Sequence, residues 1–331
     1  MFAPRTTSFA VASASPSCAS VYKTVFFMPE TFAVLLSTYN GEKYLAEQLD
    51  SLLVQEYTNV VIHIRDDGST DSTLLILDRY AARYDNVKVV RGENLGVAQS
   101  FFRLLQSAGD APTYFAFCDQ DDLWLPQKLA RAASALSDID PKTPALYFSN
   151  FELVDEDLNH LGYPPPFRHI GFRNALVQNV ATGCTVVLNR AARTLVLSRL
   201  PEHVIMHDWW SYLVISALGK LVYDDTVTVK YRQHAANAVG YGSSPLHRFR
   251  KKIARFASQD LPIFYAHRQA QELNRLYADA LSADDLKTLN LFIQSKRSFL
   301  SRLRYALSSN VKRSSYLEAL LLKFLIIFNR Y

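Results

Sequence analysis

Only three cysteines, Cys18, Cys118 and Cys184, occur in the 331 residues, far apart and with no CxxC pair. That argues against a disulfide framework and a zinc knuckle, and it points to a reducing compartment. Long apolar runs are missing too, since no stretch of about 18 apolar residues is present. The nearest, Leu317 to Phe328, is interrupted by Glu318 and Lys323; it reads as a terminal helix that either packs or lies on a membrane surface. There is no GxGxxG, and Ser37 to Gly41 is not a P-loop, which leaves a dinucleotide-dependent oxidoreductase and a P-loop ATPase without support. A secretory signal needs a compact apolar core behind a basic start, and the N-terminus lacks one. No internal repeat is present.

What is there is an ordinary globular composition, 49% hydrophobic and 20% charged, enough for one large domain or a domain with an appendage. Ser, Ala, Thr and Pro dominate the first 30 residues, so residues 1–30 read as an extension, with 1–27 expected to be disordered and Met28 a candidate natural start. The net charge of +5 is modest but unevenly placed. Beyond Gly240 basic residues prevail, in His247-Arg248-Phe249-Arg250-Lys251-Lys252 and again at Arg302, Arg304, Lys312 and Arg313. Such a region suits anionic lipid or a diphosphate-bearing acceptor, or is simply a solvated helical face. No nucleic-acid motif accompanies it, and nucleic acid is not an expected partner.

From Thr31 short apolar runs alternate with helix-period segments: strands at Thr31–Ser37, Val60–Arg65, Val87–Arg91 and Tyr114–Cys118, and helices at Glu42–Val54, Ser72–Tyr84 and Val97–Ala108. Alternation of this kind implies parallel pairing through right-handed crossovers, hence an α/β fold with a mostly parallel open sheet flanked by helices. Later segments read as a strand at Leu146–Val154, a short strand at Thr185–Leu188, a helix at His207–Leu218 and strand or hairpin material at Leu221–Tyr231; the last ninety or so residues read as helices.

In open α/β sheets ligands bind beyond the carboxyl ends of the strands. The polar clusters fall there: Thr38-Tyr39-Asn40, Asp66-Asp67, and Asp119-Gln120-Asp121-Asp122. Three carboxylates within four residues repel one another unless a cation sits among them. Hard cations such as Mg²⁺ take oxygen ligands and bridge carboxylate to phosphate. The plain alternative makes Asp122 the N-cap of a helix over Pro126–Leu136.

Leu35-Leu36-Ser37-Thr38-Tyr39-Asn40-Gly41, then Asp66-Asp67-Gly68-Ser69-Thr70-Asp71, then Asp119-Gln120-Asp121-Asp122, in that order, resemble family 2 glycosyltransferases of the GT-A fold. Phe117 to Pro126, His207-Asp208-Trp209-Trp210 and Tyr231-Arg232-Gln233-His234 look like the bacterial rhamnosyltransferase subgroup. The likeness covers residues 31–242, leaving 243–331 as a basic helical C-terminal region. It implies that Thr38, Tyr39 and Glu42 line the base end of a donor pocket and that Asp67 meets base or ribose. Asp121 would ligate Mg²⁺ or Mn²⁺ on the donor diphosphate, with Asp119 on ribose or metal-bound water, and His234 near the metal or diphosphate. Asp208 matches the catalytic base, although His207 stands where many relatives carry Glu. Gly183 belongs to an acceptor-side loop, and Trp209 is a candidate to stack on a sugar. Each has a structural rival: Asp208 as a helix cap, His234 as a structural histidine, Asp67 as a turn residue, Trp209 and Trp210 as core.

The resemblance implies a cytoplasmic, inverting, metal-dependent enzyme that moves L-rhamnose from dTDP-L-rhamnose onto a polyprenyl-linked glycan, in O-antigen, capsule or similar surface polysaccharide synthesis. Peripheral contact with the anionic inner face of the plasma membrane goes with such an acceptor. A UDP-sugar donor on the same fold, and a non-catalytic nucleotide-sugar scaffold, are the alternatives. A processive synthase is disfavoured, because its QxxRW signature is not evident.

Overall fold

The computed structural model describes residues 30–234, 263–308 and 312–330. The expectation of disorder over 1–27 and the basic run His247–Lys252 lie outside them. Strands β1 (Phe32–Thr38), β2 (Val60–Asp66), β3 (Val87–Arg91) and β4 (Tyr114–Cys118) pair in parallel, joined by α1 (Leu45–Leu53), α2 (Thr73–Arg83) and α3 (Val97–Ser107). β4 is apolar throughout and β1 through its first five residues because helices cover both faces, whereas β2 and the edge strand β3 also carry His63, Arg65, Asp66, Lys88 and Arg91. Side chains alternate across the sheet. Ala33, Leu35, Phe115 and Phe117 enter one core, whereas Phe32, Val34, Leu36, Tyr114, Ala116 and Cys118 enter the other.

The second half of the sheet is mixed. It contains β5 (Leu123–Trp124), β6 (Ala145–Val154), β7 (His160–Gly162), β8 (Val187–Asn189) and β9 (Lys220–Arg232), and the strand order is β3-β2-β1-β4-β8-β6-β9-β5 with β7 beside β6. β8 runs antiparallel to both β4 and β6. The Leu221–Tyr231 stretch is not a hairpin. It forms one strand of 13 residues, parallel to β6, that absorbs irregularities opposite Ser149–Phe151.

Between these strands lie α4 (Lys128–Ser137), α5 (Phe172–Ala175), α6 (Arg190–Ser198) and α7 (His207–Leu218). α4 starts six residues after Asp122 with Gln127 at its cap, so the reading of Asp122 as an N-cap does not hold. Asp208 sits inside the first turn of α7, whose cap is Met206. The C-terminal helices are α8 (Ile263–Tyr277), α9 (Ala283–Gln294), α10 (Phe299–Leu307) and α11 (Tyr316–Ile327). Leu273, Phe292, Tyr305 and Leu325 of these helices share one core with β4 and α7.

Candidate active site

The site is assembled from chain segments that leave the carboxyl ends of β1, β2, β4 and β9. Gln120 ties two of them together. Its amide oxygen accepts from Thr38 Oγ1 at 2.6 Å and from the Tyr39 N–H at 2.9 Å, while its amide nitrogen donates to Tyr39 O at 3.2 Å. Gly41 makes room for that clasp, because a Cβ there would lie 2.4 Å from Gln120 Oε1 and 2.8 Å from Thr38 Oγ1. Gly41→Ala must push Gln120 off Thr38 and Tyr39. It should lower the unfolding free energy by about 1–2 kcal/mol and raise KM for the donor; a donor KM equal to wild type would show that the clasp does not shape the pocket.

The next segment is pinned by short polar side chains. Asn40 accepts from the Thr70 N–H at 2.8 Å, and Glu42 Oε2 accepts from the Ser72 N–H at 3.0 Å at the start of α2. Asp66 closes a turn by accepting from the N–H groups of Gly68 and Ser69. Asp67 is buried and faces the loop after β3: its oxygens accept from the Leu95 and Gly96 N–H groups at 3.0 and 2.9 Å and pair with Arg65. Arg65 also reaches Ser100 of α3, whose hydroxyl lies 2.6 Å from that of Ser37. Asp67 therefore organises the wall beside β1.

The acidic run after β4 divides by direction. Asp121 Oδ2 meets His234 Nε2 at 2.8 Å, which places the end of β9 against this loop. Asp119 is crowded by Asp121 and Asp208; burial first, then those two charges, push its carboxyl up to about 8. Asp122 turns inward instead. Its Oδ1 accepts from the Arg232 N–H at 3.2 Å, Cys184 is its other neighbour, and burial followed by Asp121 and Asp119 drives its carboxyl well above the usual range. Behind it sits Lys128, fully buried with Nζ 4.4 Å from the centroid of the Trp124 ring and pushed down to about 8, chiefly by burial.

Arg232, which the motifs left without a role, holds this loop in place. Its guanidinium is buried, lies 4.5 Å over the Tyr44 ring, donates Nε–H to Asp121 O at 2.9 Å, and reaches Glu156 O and the Glu47 carboxylate.

On the opposite side, α7 supplies Asp208. Its Oδ1 accepts from the Trp209 N–H at 2.6 Å, and its Oδ2 accepts from Asn179 Nδ2 at 2.9 Å. These bonds and the Gly183 N–H favour the anion, yet burial outweighs them and lifts the carboxyl to about 6. A Cβ at residue 183 would stand 3.4 Å from both Asp208 Oδ2 and His207 Nε2, so Gly183 keeps its backbone close to the carboxylate. His207 is clamped between the Phe101 ring, stacked at 3.7 Å, and the edge-on Phe117 ring at 4.6 Å. Burial pushes it down to about 3, so the imidazole is neutral. Trp209 lies in the core, with Nε1–H donating to Ala175 O at 2.7 Å, and Trp210 is fully buried.

Asp119, Asp122 and Cys184 offer ligand atoms within 4.8 Å of one another. Burial keeps the Cys184 thiol protonated, and a soft sulfur suits neither Mg²⁺ nor Mn²⁺. The Asp119 and Asp121 carboxylates are the oxygen ligands that a hard cation takes, and His234 Nε2 stands 2.8 Å from Asp121 Oδ2. Asp121 and Asp208 thus both lie close enough to Asp119 to raise its carboxyl, while Asp67 is linked to the end of β1 by its N–H, which donates to Thr38 O at 2.8 Å.

Residues 33–195 match the family model described as glycosyl transferase family 2. Among curated proteins, the dTDP-rhamnosyl transferase RfbG of Shigella flexneri is 28% identical over 224 residues, covering 62% of this chain and 73% of that one. Among solved structures, S. aureus TarS 1-349 in complex with UDP-GlcNAc superposes with a TM-score of 0.54 at 19% identity, over 91% of this chain and 89% of that one. GalNAc-T7 with UDP, GalNAc and Mn²⁺ gives a TM-score of 0.54 at 16% identity, over 78% of this chain and 56% of that one. The parallel β1–β4 half, the antiparallel β8 and the acidic loop after β4 are the GT-A arrangement, and the chain is a glycosyltransferase that carries a family 2 domain.

Proposed function

We propose that this glycosyltransferase transfers L-rhamnose from dTDP-L-rhamnose, with inversion, onto a polyprenyl-linked glycan at the cytoplasmic face of the plasma membrane, as in O-antigen or other surface polysaccharide synthesis. The closeness of Asp121 and Asp208 to Asp119 carries the chemistry, and the Shigella relative carries the choice of sugar. Thr38, Tyr39 and Glu42 edge the base end of the donor pocket, and Asp67 fixes the wall that the base and ribose lie against. Asp121 and His234, with Asp119, would hold Mg²⁺ or Mn²⁺, and the cation would supply charge stabilisation for the departing diphosphate.

Asp208 takes the proton of the acceptor hydroxyl. The oxygen then forms a bond to the anomeric carbon as the carbon–oxygen bond to the diphosphate breaks, and that electron pair leaves with dTDP. No covalent enzyme intermediate is required. The Gly183 backbone lies against the Asp208 carboxylate, where its N–H favours the ionised base, and Trp209 supports that side from the core.

A UDP-sugar donor is the second reading, because the TarS structure holds UDP-GlcNAc. Thermal unfolding with dTDP, UDP or GDP, each with and without Mn²⁺, separates the two. At a hundredfold excess over Kd a ligand that binds only the folded chain adds about 2.7 kcal/mol, a shift of several degrees. dTDP with Mn²⁺ should give the largest shift. A larger shift with UDP would overturn the rhamnosyl assignment, and none with any nucleotide would overturn the transferase site.

A further inference from the structure

α11 is apolar on two opposite sides. Leu322, Leu325 and Ile326 enter the core, while Leu317, Leu320, Phe324 and Phe328 are 69, 45, 56 and 60% exposed. A helix that is apolar all round is ordinarily covered all round. The start of α10 extends this exposed face with Phe299 and Leu300. The two are neighbours, because the Arg302 guanidinium lies 5.9 Å from the Phe299 ring centroid and its Nε–H donates to Ile327 O at 3.0 Å. No helix among the described residues is long and apolar enough to cross a membrane, and α11 spans 12 residues. Such a face can lie in a bilayer interface without traversing it.

Charge identifies what covers it. Between Ser298 and Arg330 the basic residues are Arg302, Arg304, Lys312, Arg313, Lys323 and Arg330, and the acidic residue is Glu318 alone, six against one. Arg313 is largely buried and engages Glu318, so the face itself is left with five basic residues and no unpaired acid. Apolar side chains interleaved with basic ones match acyl chains beneath anionic headgroups. We propose that the exposed sides of α10 and α11 form a docking surface for an anionic lipid bilayer, placed on the acceptor side of Asp208.

The placement follows from the segment that leads into α11. Lys312 O accepts from Asn174 Nδ2 at 3.0 Å, Arg313 donates to Val177 O at 2.9 Å, and the Ser314 N–H donates to Gln178 Oε1 at 2.9 Å. The next residue, Asn179, is the donor to Asp208. The docking surface and the base are thus joined through one short strap, residues 174–179, and an acceptor anchored in the bilayer meets the base from that side. The statement about the acceptor rests on the transferase reading above; the lipid contact does not.

Sedimentation of the full chain with vesicles of phosphatidylcholine, with and without about one third phosphatidylglycerol, tests this without any donor. Binding to the anionic vesicles should be at least about tenfold tighter. The combined exposed substitutions Leu317→Ser, Leu320→Ser and Phe324→Ser should abolish it while preserving the shift with dTDP and Mn²⁺. No sedimentation with anionic vesicles, equal binding to both vesicle types, or undiminished binding by the triple variant would each overturn the proposal. So would a wild-type dimer in ultracentrifugation that the triple variant disperses, since that assigns the face to a second copy. Vesicle binding by a chain that shows no thermal shift with dTDP and Mn²⁺ supports the proposal and defeats the donor reading instead.

Discussion

Asp208→Asn should lower kcat by about 10²- to 10⁴-fold, equivalent to about 2.7–5.5 kcal/mol in the barrier. The substitution keeps the shape of the side chain and its contact with the Trp209 N–H. What it removes is the ability to take a proton, together with the acceptor for Asn179 Nδ2. The thermal shift produced by nucleotide and Mn²⁺ should therefore survive, since the proposed donor side is Asp121 and the β1 loop rather than α7. The wild-type pH profile follows from the same carboxyl, which burial holds at about 6. A base must be ionised to act, so kcat/KM should fall about tenfold per pH unit below about 6 and level off above it. Of the groups facing Asp208 only Asp119 titrates nearby, raised to about 8 in part by Asp208 itself, so the limb is read at saturating Mn²⁺. His207, pushed down to about 3, stays neutral throughout; Asn179 and the Gly183 backbone do not titrate; and Asp119 lies among the groups that would hold the cation. An Asn variant with wild-type turnover, or a profile flat through pH 5–7, would remove Asp208 from the chemistry.

The parts of the fold that were legible in the sequence are those governed by local pattern. The apolar runs of β1 to β4 appear where the chain alternates, and their ends fall within a residue or two of the turns at Asn40, Gly68 and Asp119. The acidic run marked its own strand end. What the sequence hid are residues whose work is done across distance. Gln120 clasps Thr38 and Tyr39 from 81 or 82 positions away, Asn179 reaches Asp208 over 29, and Arg232 reaches the Asp121 carbonyl over 111. No periodicity or spacing records such contacts. The direction in which a side chain turns is equally hidden: Asp122 reads as one of three equivalent acids, yet it faces inward to Arg232 and Cys184, whereas Asp119 and Asp121 face Asp208 and His234. Asp67 and Trp209 likewise carry family-like context while their polar atoms bond to Leu95, Gly96 and Ala175 in this conformation.

Arg232→Met is expected to destabilise the chain by about 3 kcal/mol. The guanidinium is 2% exposed, and its removal leaves Asp121 O and Glu156 O without their donor and Tyr44 without the cation over its ring. Glu47, at 45% side-chain exposure, can turn to water, which keeps the loss below that of a wholly buried ion pair. Arg232→Lys restores the charge but not the fork of donors, so its midpoint should fall between the two. The functional consequence follows from position. Arg232 ends β9 two residues before His234 and bonds to the backbone of Asp121, so it fixes both members of the Asp121–His234 pair. In the Met variant the Mn²⁺-dependent part of the nucleotide-induced thermal shift should therefore shrink by more than the nucleotide-only part. If the Met variant unfolds at the wild-type temperature with its Mn²⁺ response intact, the end of β9 is not what holds the acidic loop in register.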